Sequence, residues 1–224
     1  MPEVDETNWF HRVCGMKDYG EVLKKWIIKY RAQWQDEELH FITVMLPGFT
    51  KNNSIKSLIN PESPTEELSW AWMRESQMQS LDLPNTSVIN TIDLGDTINV
   101  HPTDKLPIGQ RGALLAAKNT LGQAIIAEGP TLKKVDLNGD ELVIHFNNAN
   151  GLQTHNGKNP VGFWIANDTK EWVVANARIA GERVILDAPN LQSPKYVRYA
   201  FAGKPTVNLI NELGLPAYPF RTDN

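Results

Sequence analysis

The sequence is poor in cysteine and has no long hydrophobic run. Its 224 residues contain one cysteine, Cys14, so neither an internal disulfide nor a thiolate-bound metal cluster is expected. No stretch approaches the roughly 18 apolar residues of a membrane-spanning helix. The first residues, MPEVDETN, are acidic, whereas a secretory signal has a basic end followed by an apolar stretch. These absences argue against the disulfide-stabilised, zinc-finger and membrane-embedded classes.

The sequence also lacks an excess of positive charge. Its 22 Lys and Arg residues are outnumbered by 26 Asp and Glu residues, which gives a formal net charge of −4. A chain of this charge has no general attraction for nucleic acid or for an anionic lipid surface. No His and carboxylate residues have metal-ligand spacing, and no glycine-rich phosphate loop or dinucleotide motif is present. We therefore expect no metal, cofactor, nucleic acid or membrane partner, and a neutral or weakly polar substrate.

The first half of the chain alternates predicted helices and strands. Apolar residues at three- and four-residue spacing predict helices at 18–34, from residue 63 onward and at 105–121. Short apolar, β-rich runs at 39–46 and 87–94 predict strands. Because these runs are too apolar for a half-exposed sheet, we expect an α/β region with parallel strands covered by helices on both faces.

The third predicted helix has one apolar stripe. The residues at helical spacing on that stripe are Leu106, Gly109, Ala113, Leu114, Ala117 and Leu121. An apolar stripe of this kind packs against the rest of the protein. We therefore expect this face of the helix to be buried.

The second half of the chain has a different pattern. From Pro130 onward, β-forming runs alternate with turn signals such as Asn-Gly-Asp and Ala-Gly-Glu. The six runs are TLKKVDL, ELVIHF, GFWIAN, EWVVANARI, RVILD and YVRYAF. Six strands at short spacing predict an antiparallel β-sandwich. We place the boundary between the two architectures near residues 122–130.

The segment TIDLGDTINVHPTDK, at residues 91–105, is the best candidate for a catalytic site. A predicted strand ends at Leu94, within this segment, and ligands of parallel α/β sheets gather at the carboxyl ends of strands. His101 in this loop could act as a general base near neutral pH. Asp93, Asp96 and Asn99 precede it and could hold its ring in one tautomer. The alternative is that His101 only packs at the start of the next helix.

Three motifs resemble the C-terminal half of the sialate O-acetylesterase family, which are carbohydrate esterases of the SGNH-hydrolase type. The motifs are WAWMRESQ, IDLGDTINVHPTDKLPIGQRGALLAA and VRYAFAGKPTVNLINELGLPAYPFRTD. They occur in the family's order across most of the chain. The resemblance implies part of an SGNH (flavodoxin-like) parallel-sheet domain at 1–125, followed by an antiparallel, jelly-roll-like β-sandwich at 126–224.

The resemblance also implies a catalytic role for His101, as the histidine of the family's His-Pro motif. The family pattern has an Asp three residues before this histidine, and this chain has Ile98 there. The orienting partner of His101 is then Asn99, or a carboxylate from Asp96 or Asp93, or no carboxylate is used. A neutral partner would stabilise the developing imidazolium less than a carboxylate.

The family's serine nucleophile lies in a Gly-Gln-Ser-Asn block that this sequence does not contain. None of the serines present follows a glycine elbow that would expose it as a nucleophile. We therefore expect that a complementary chain carries the serine block, or that the 224 residues are a fragment of a longer product. If the missing part carries an export signal, the location would be extracellular or periplasmic; the 224 residues alone leave the location open.

Arg74 and Gln77 are the predicted substrate-binding residues. They are neighbours on one helix, at positions i and i+3, and the resemblance implies that this helix borders the active cleft. The alternative for both is a solvated position on an amphipathic helix. The expected function is removal of O-acetyl groups from sialic acid or a related acetylated sugar by serine-type acyl transfer. The alternative function is a non-catalytic carbohydrate-binding or interaction module derived from the same family.

Overall fold

The computed structural model describes residues 18–49, 70–96, 99 and 101–223. The three α-helices within these ranges are α1 (Tyr19–Trp34), α2 (Trp70–Met78) and α3 (Leu106–Asn119), and a 3-10 turn at Gln79–Asp82 follows α2. All three lie within or close to the predicted helical segments. The predicted start of the second helix, at 63–69, lies outside the described residues.

Two short strands form a parallel pair in the first half of the chain. Strand β1 (Phe41–Val44) pairs with β2 (Thr86–Ile89), with Phe41 opposite Thr86 and Val44 opposite Ile89. Strand β1 lies within its predicted run, whereas β2 starts one residue before its predicted run and ends five residues before the end of that run. The parallel direction of the pair agrees with the prediction. Among the described residues, no strand pairs with the other edge of β1.

The second half of the chain contains ten strands, all paired antiparallel. They are β3 (Thr131–Asn138), β4 (Glu141–Asn147), β5 (Gln153–Thr154), β6 (Phe163–Ala166), β7 (Val173–Val174), β8 (Asn176–Ala180), β9 (Arg183–Asp187), β10 (Tyr196–Tyr199), β11 (Leu209–Ile210) and β12 (Phe220–Arg221). They form one sheet in the order β3-β4-β9-β8, a second in the order β12-β10-β6-β7, and the small pair β11-β5.

Each of the six predicted runs contains at least one strand, but the run EWVVANARI is divided between two sheets. Strand β7 pairs with β6, whereas β8 pairs with β9. Ala175, between them, still donates its amide to the carbonyl of Phe163 at 3.1 Å. The chain therefore leaves one sheet and enters the other within a single residue, which periodicity along the sequence does not reveal.

Residues of both four-stranded sheets form one hydrophobic core. Ile144 on β4, Val184 on β9, Ile165 on β6 and Val197 on β10 are completely buried in the same cluster. Ile92, which follows β2, belongs to this cluster as well. The parallel pair is thus attached to the antiparallel part through apolar packing.

Hydrogen bonds strengthen this attachment at β2. The hydroxyl group of Tyr218 donates to the carbonyl of Val88 at 2.6 Å. The side-chain amide of Asn90 donates to the carbonyls of Pro216 and Ala217 at 2.9 and 3.1 Å. Because these groups are buried, their hydrogen bonds fix the position of β2 and of the loop that follows it.

The apolar stripe predicted for α3 is wrong. Leu106 and Leu121 are 67% and 69% exposed, whereas Leu115, which the predicted stripe omits, is 1% exposed. Leu115 packs with Ile89 and Ala127. Gly112 faces the same side, because a Cβ atom placed there would lie 3.1 Å from the Cδ1 of Ile89. The buried face is therefore the one that contains Leu115 and Gly112, which packs against β2.

Candidate active site

The loops that follow β1 and β2 are held together at the carboxyl ends of these strands. Gly48 donates its amide to the carbonyl of Leu94 at 3.0 Å. Gly95 has a φ of 84°, and a Cβ atom at this position would lie 2.3 Å from the carbonyl oxygen of Gly48. Only glycine fits both the positive φ and the close approach of the two backbones. The carboxyl ends of the two parallel strands are the predicted location of the site.

Consecutive side-chain hydrogen bonds shape the loop that carries His101. The carboxylate of Asp96 accepts the amide of Asn99 at 2.5 Å, and the side-chain oxygen of Asn99 accepts the amide of His101 at 2.9 Å. Asp104 accepts the amide of Leu106 at 3.0 Å, where α3 begins. Such local bonds replace backbone ladders in irregular segments. His101 itself is exposed to solvent.

The three predicted partners of His101 use their side chains elsewhere. Asp93 forms a bidentate ion pair with Arg111, at 2.7 and 2.6 Å, and Arg111 also donates to the carbonyl of Asn90 at 2.7 Å. Asp96 and Asn99 accept backbone amides of their own loop. Within the described part of the chain, no hydrogen bond reaches the imidazole ring. The residue that orients this ring therefore stays a prediction.

Lys204 lies beside Gly48, in the loop after β1. The sequence alone did not indicate it as a candidate site residue. A Cβ atom at Gly48 would lie 2.5 Å from its Cδ atom and 3.3 Å from its Nζ atom. Burial lowers the pKa of Lys204, and the nearby carboxylates of Asp93 and Asp96 partly offset this effect. The signal in the sequence is the position of this lysine in the AFAGKP segment, which is otherwise apolar.

Arg74 is completely buried next to the loop that follows β1. Its guanidinium group donates to the carbonyls of Pro47 and Gly203 at 3.2 and 3.3 Å and to that of Ala202. Its Nε atom has no hydrogen-bond partner among the described residues. Burial lowers its pKa to about 9. Arg74 thus joins the loop after β1 to the 202–203 turn, and its role in substrate binding stays a prediction.

The side-chain amide of Gln77 forms hydrogen bonds with backbone groups on the unpaired side of β1, near its carboxyl end. Its oxygen accepts the amide of Leu46 at 2.8 Å, and its nitrogen donates to the carbonyl of Val44 at 3.2 Å. These groups belong to residues i and i+2 of one strand edge, so the side chain replaces a neighbouring strand over one pair of bonds. Substrate binding by Gln77 stays a prediction.

Two of the four described serines, Ser80 and Ser87, have hydroxyl groups that contact other residues. Ser80 is buried and donates to the carbonyl of Gln77. Ser87 is also buried, and its hydroxyl group lies 2.8 Å from the Nε2 atom of His40, at the opposite end of the parallel strands. His40 in turn contacts Thr120 at 2.7 Å. This serine–histidine contact is therefore separate from the His101 loop.

The described residues contain no group of three or more His, Cys, Asp and Glu side chains arranged to hold a metal ion. Within the same ranges, every helix is too short or too polar to cross a membrane.

The fold of this chain is similar to that of an enzyme of known structure. The chain matches the crystal structure of a carbohydrate acetylesterase from Xanthomonas citri with a TM-score of 0.83 and 34% sequence identity. The chain is similar to a carbohydrate acetylesterase. The match covers 93% of this chain and 46% of the acetylesterase, so the chain spans about half the length of that enzyme. No family model matches the sequence, and no curated protein matches it either.

Proposed function

We propose that this chain is the histidine-bearing part of a carbohydrate O-acetylesterase. The observation that carries the proposal is the exposed His101 on a braced loop beyond β2, in a chain that resembles a carbohydrate acetylesterase over 93% of its length. The proposed substrate is an O-acetylated sugar, with O-acetylated sialic acid as one candidate. The proposed architecture is an SGNH-type domain at 1–125 and a β-sandwich at 126–224.

In this proposal His101 transfers the proton in both halves of the reaction. It takes the proton of a serine hydroxyl group while the serine oxygen attacks the acetyl carbonyl carbon. The bond between that carbon and the sugar oxygen then breaks, and the sugar oxygen receives the proton. Water attacks the acetyl-serine in the same way and releases acetate. Asp96 and Asn99 position the histidine through the backbone of its loop.

Two cations near the carboxyl ends of β1 and β2 stabilise the transition state in the proposed mechanism. Lys204 lies over Gly48, and the buried Arg74 bonds to the carbonyl of Pro47, in the same loop. Negative charge develops on the carbonyl oxygen during attack, and nearby fixed positive charge stabilises it strongly where water is excluded.

The serine in this proposal comes from residues outside this chain. Ser80 and Ser87 are committed to other contacts. The outer edge of β1 pairs with no described strand, and exposed apolar side chains lie beside it, including Trp26 and Val44. An edge of this kind tends to associate with another polypeptide segment. We propose that the serine-bearing segment docks there.

A chimera tests the proposal most simply. These 224 residues would replace the matching part of the Xanthomonas citri acetylesterase, and hydrolysis of an aryl acetate would be measured. We expect activity in the chimera, a loss of about 10²–10⁴-fold in kcat/KM for His101→Ala, and little change for the control His155→Ala, in an exposed loop. Strong hydrolysis by the 224 residues alone, lost on His101→Ala, would contradict an external nucleophile.

The second candidate is a carbohydrate-binding module without catalysis. It is favoured by the absence, among the described residues, of a side chain that hydrogen-bonds the His101 ring. A correctly folded chimera that binds acetylated sugar without hydrolysing it would support this candidate over the esterase.

A further inference from the structure

A cavity lined by charged side chains lies between α2 and the strands β10 and β12, apart from the His101 loop. It is wide open to solvent, and its volume of about 440 Å³ is comparable with that of small-ligand sites. Three cations line it, Lys170, Arg198 and Arg221, together with the carboxylates of Glu75 and Asp223. The proposed catalytic reaction uses none of these residues.

Ion pairs and aromatic rings fix both guanidinium groups in this cavity. Arg198 donates through Nε and Nη2 to the two oxygens of Asp223, at 3.0 and 2.5 Å, and lies 4.3 Å from the ring centroid of Trp172. Arg221 donates through Nε to Glu75 at 2.7 Å and lies 4.7 Å from the ring centroid of Trp72. Stacking on an indole ring keeps a guanidinium plane in one orientation.

Both guanidinium groups keep unused donors. Arg198 uses two N–H groups on Asp223. Arg221 uses one on Glu75 and one on the carbonyl of Asp223. Since a guanidinium group has five N–H donors, each retains donors to which no described residue is bonded. The cavity therefore contains oriented donors, with little reorganisation needed on binding.

The charges in the cavity do not cancel. Three cations and two carboxylates leave a formal excess of 3 − 2 = +1. Lys170 lies 5.6 Å from the ring centroid of Tyr196 and forms no ion pair within the described ranges. A ligand with one negative charge would neutralise this excess, whereas a phosphate dianion would exceed it.

We propose that this cavity binds a sugar unit that carries one carboxylate group. A carboxylate can accept hydrogen bonds from the N–H groups that Arg198 and Arg221 do not use on described residues, and Lys170 supplies the unpaired positive charge. Gln79 and Glu75 also line the cavity and can bond sugar hydroxyl groups. The carbohydrate part of this inference rests on the proposed function, and the carboxylate part rests on the cavity alone. The site would direct the esterase to acidic acetylated glycans.

The test is a titration of the full chain with methyl β-D-glucuronide, followed by NMR through the indole N–H signals. The neutral probe of matched size is methyl β-D-glucoside, and inorganic phosphate distinguishes general anion binding. We expect millimolar binding of the glucuronide, centred on the signals of Trp72 and Trp172, that weakens at high salt. We expect at least tenfold weaker binding of the glucoside and of phosphate.

Two matched lysine variants test whether the glucuronide binds in this cavity. Lys170→Gln should weaken glucuronide binding about three- to tenfold, as for an exposed charge contact. Lys133→Gln, an exposed lysine on β3 in the other sheet, should not change it. Equal binding of glucuronide and glucoside, tighter binding of phosphate, or equal effects of the two variants would overturn the proposal. Because this titration needs no turnover, its failure is distinct from the failure of the proposed esterase function.

Discussion

The antiparallel and parallel parts of this chain bury their apolar side chains to different extents. In the antiparallel part, two four-stranded sheets enclose one continuous core. Around β1 and α1, Trp34, Ile28 and Val44 are 69%, 53% and 47% exposed. A pair of parallel strands is a small sheet by the standards of α/β proteins, in which both faces are covered. Within the described residues, the antiparallel part therefore buries its apolar side chains more completely than the region around β1 and α1 does.

The largest expected effect comes from a matched pair of isoleucine truncations, one in each part. Ile144→Ala removes a completely buried side chain from the antiparallel core, and it should lower the free energy of unfolding by about 2–5 kcal/mol. Ile28→Ala, on the exposed face of α1, should change it by less than about 0.5 kcal/mol. Urea unfolding of both variants measures the difference. Similar losses for the two variants would contradict the comparison.

Replacing the amide that satisfies the edge of β1 should have a smaller effect. Gln77→Leu leaves the carbonyl of Val44 and the amide of Leu46 without their side-chain partner. Loss of a buried hydrogen-bond partner costs about 1–3 kcal/mol. The control is Gln123→Leu, at an exposed position, which should change the unfolding midpoint little. If Gln77→Leu is as stable as the control, the side chain does not hold this edge.

The smallest expected effect is a pH dependence at the amino end of the parallel strands. Burial, with a smaller contribution from Arg31, lowers the pKa of His40 below its usual value of 6.5. The unfolded chain then binds more protons than the folded chain as the pH falls below about 6.5, so stability decreases in that direction. Unfolding midpoints between pH 7.5 and pH 5 should fall less steeply for His40→Gln than for the unchanged chain. Identical slopes would contradict this account of His40.

Local signals predicted most of the antiparallel strands. The β3–β4 hairpin turns at Gly139, with a φ of 62°, and the β8–β9 hairpin at Gly181, with a φ of 61°. Both glycines belong to turn signals that are visible in the sequence. The two-residue strands β5, β11 and β12 were not predicted, because their pairing depends on distant segments and they are too short for periodicity.

The surroundings of the candidate site were also predictable only in part, because some of its contacts join distant segments. The position of His101 after a strand follows from local sequence, and the structure places it in a loop beyond β2. The ion pair between Asp93 and Arg111 spans 18 residues, and the approach of Lys204 to Gly48 joins the two halves of the chain. No local sequence pattern indicates either contact, so neither could be predicted before the fold was known.

The most direct test of His101 as the proton-transfer group is chemical rescue of His101→Ala in the acetylesterase chimera. Because His101 is exposed, free imidazole can reach the space left by the missing ring. The account predicts that imidazole raises aryl acetate hydrolysis by this variant at least about tenfold, within the loss expected for general acid–base catalysis, and leaves the unsubstituted chimera unchanged. A His101→Ala chimera that keeps full activity, or one that loses activity and does not respond to imidazole, would contradict it.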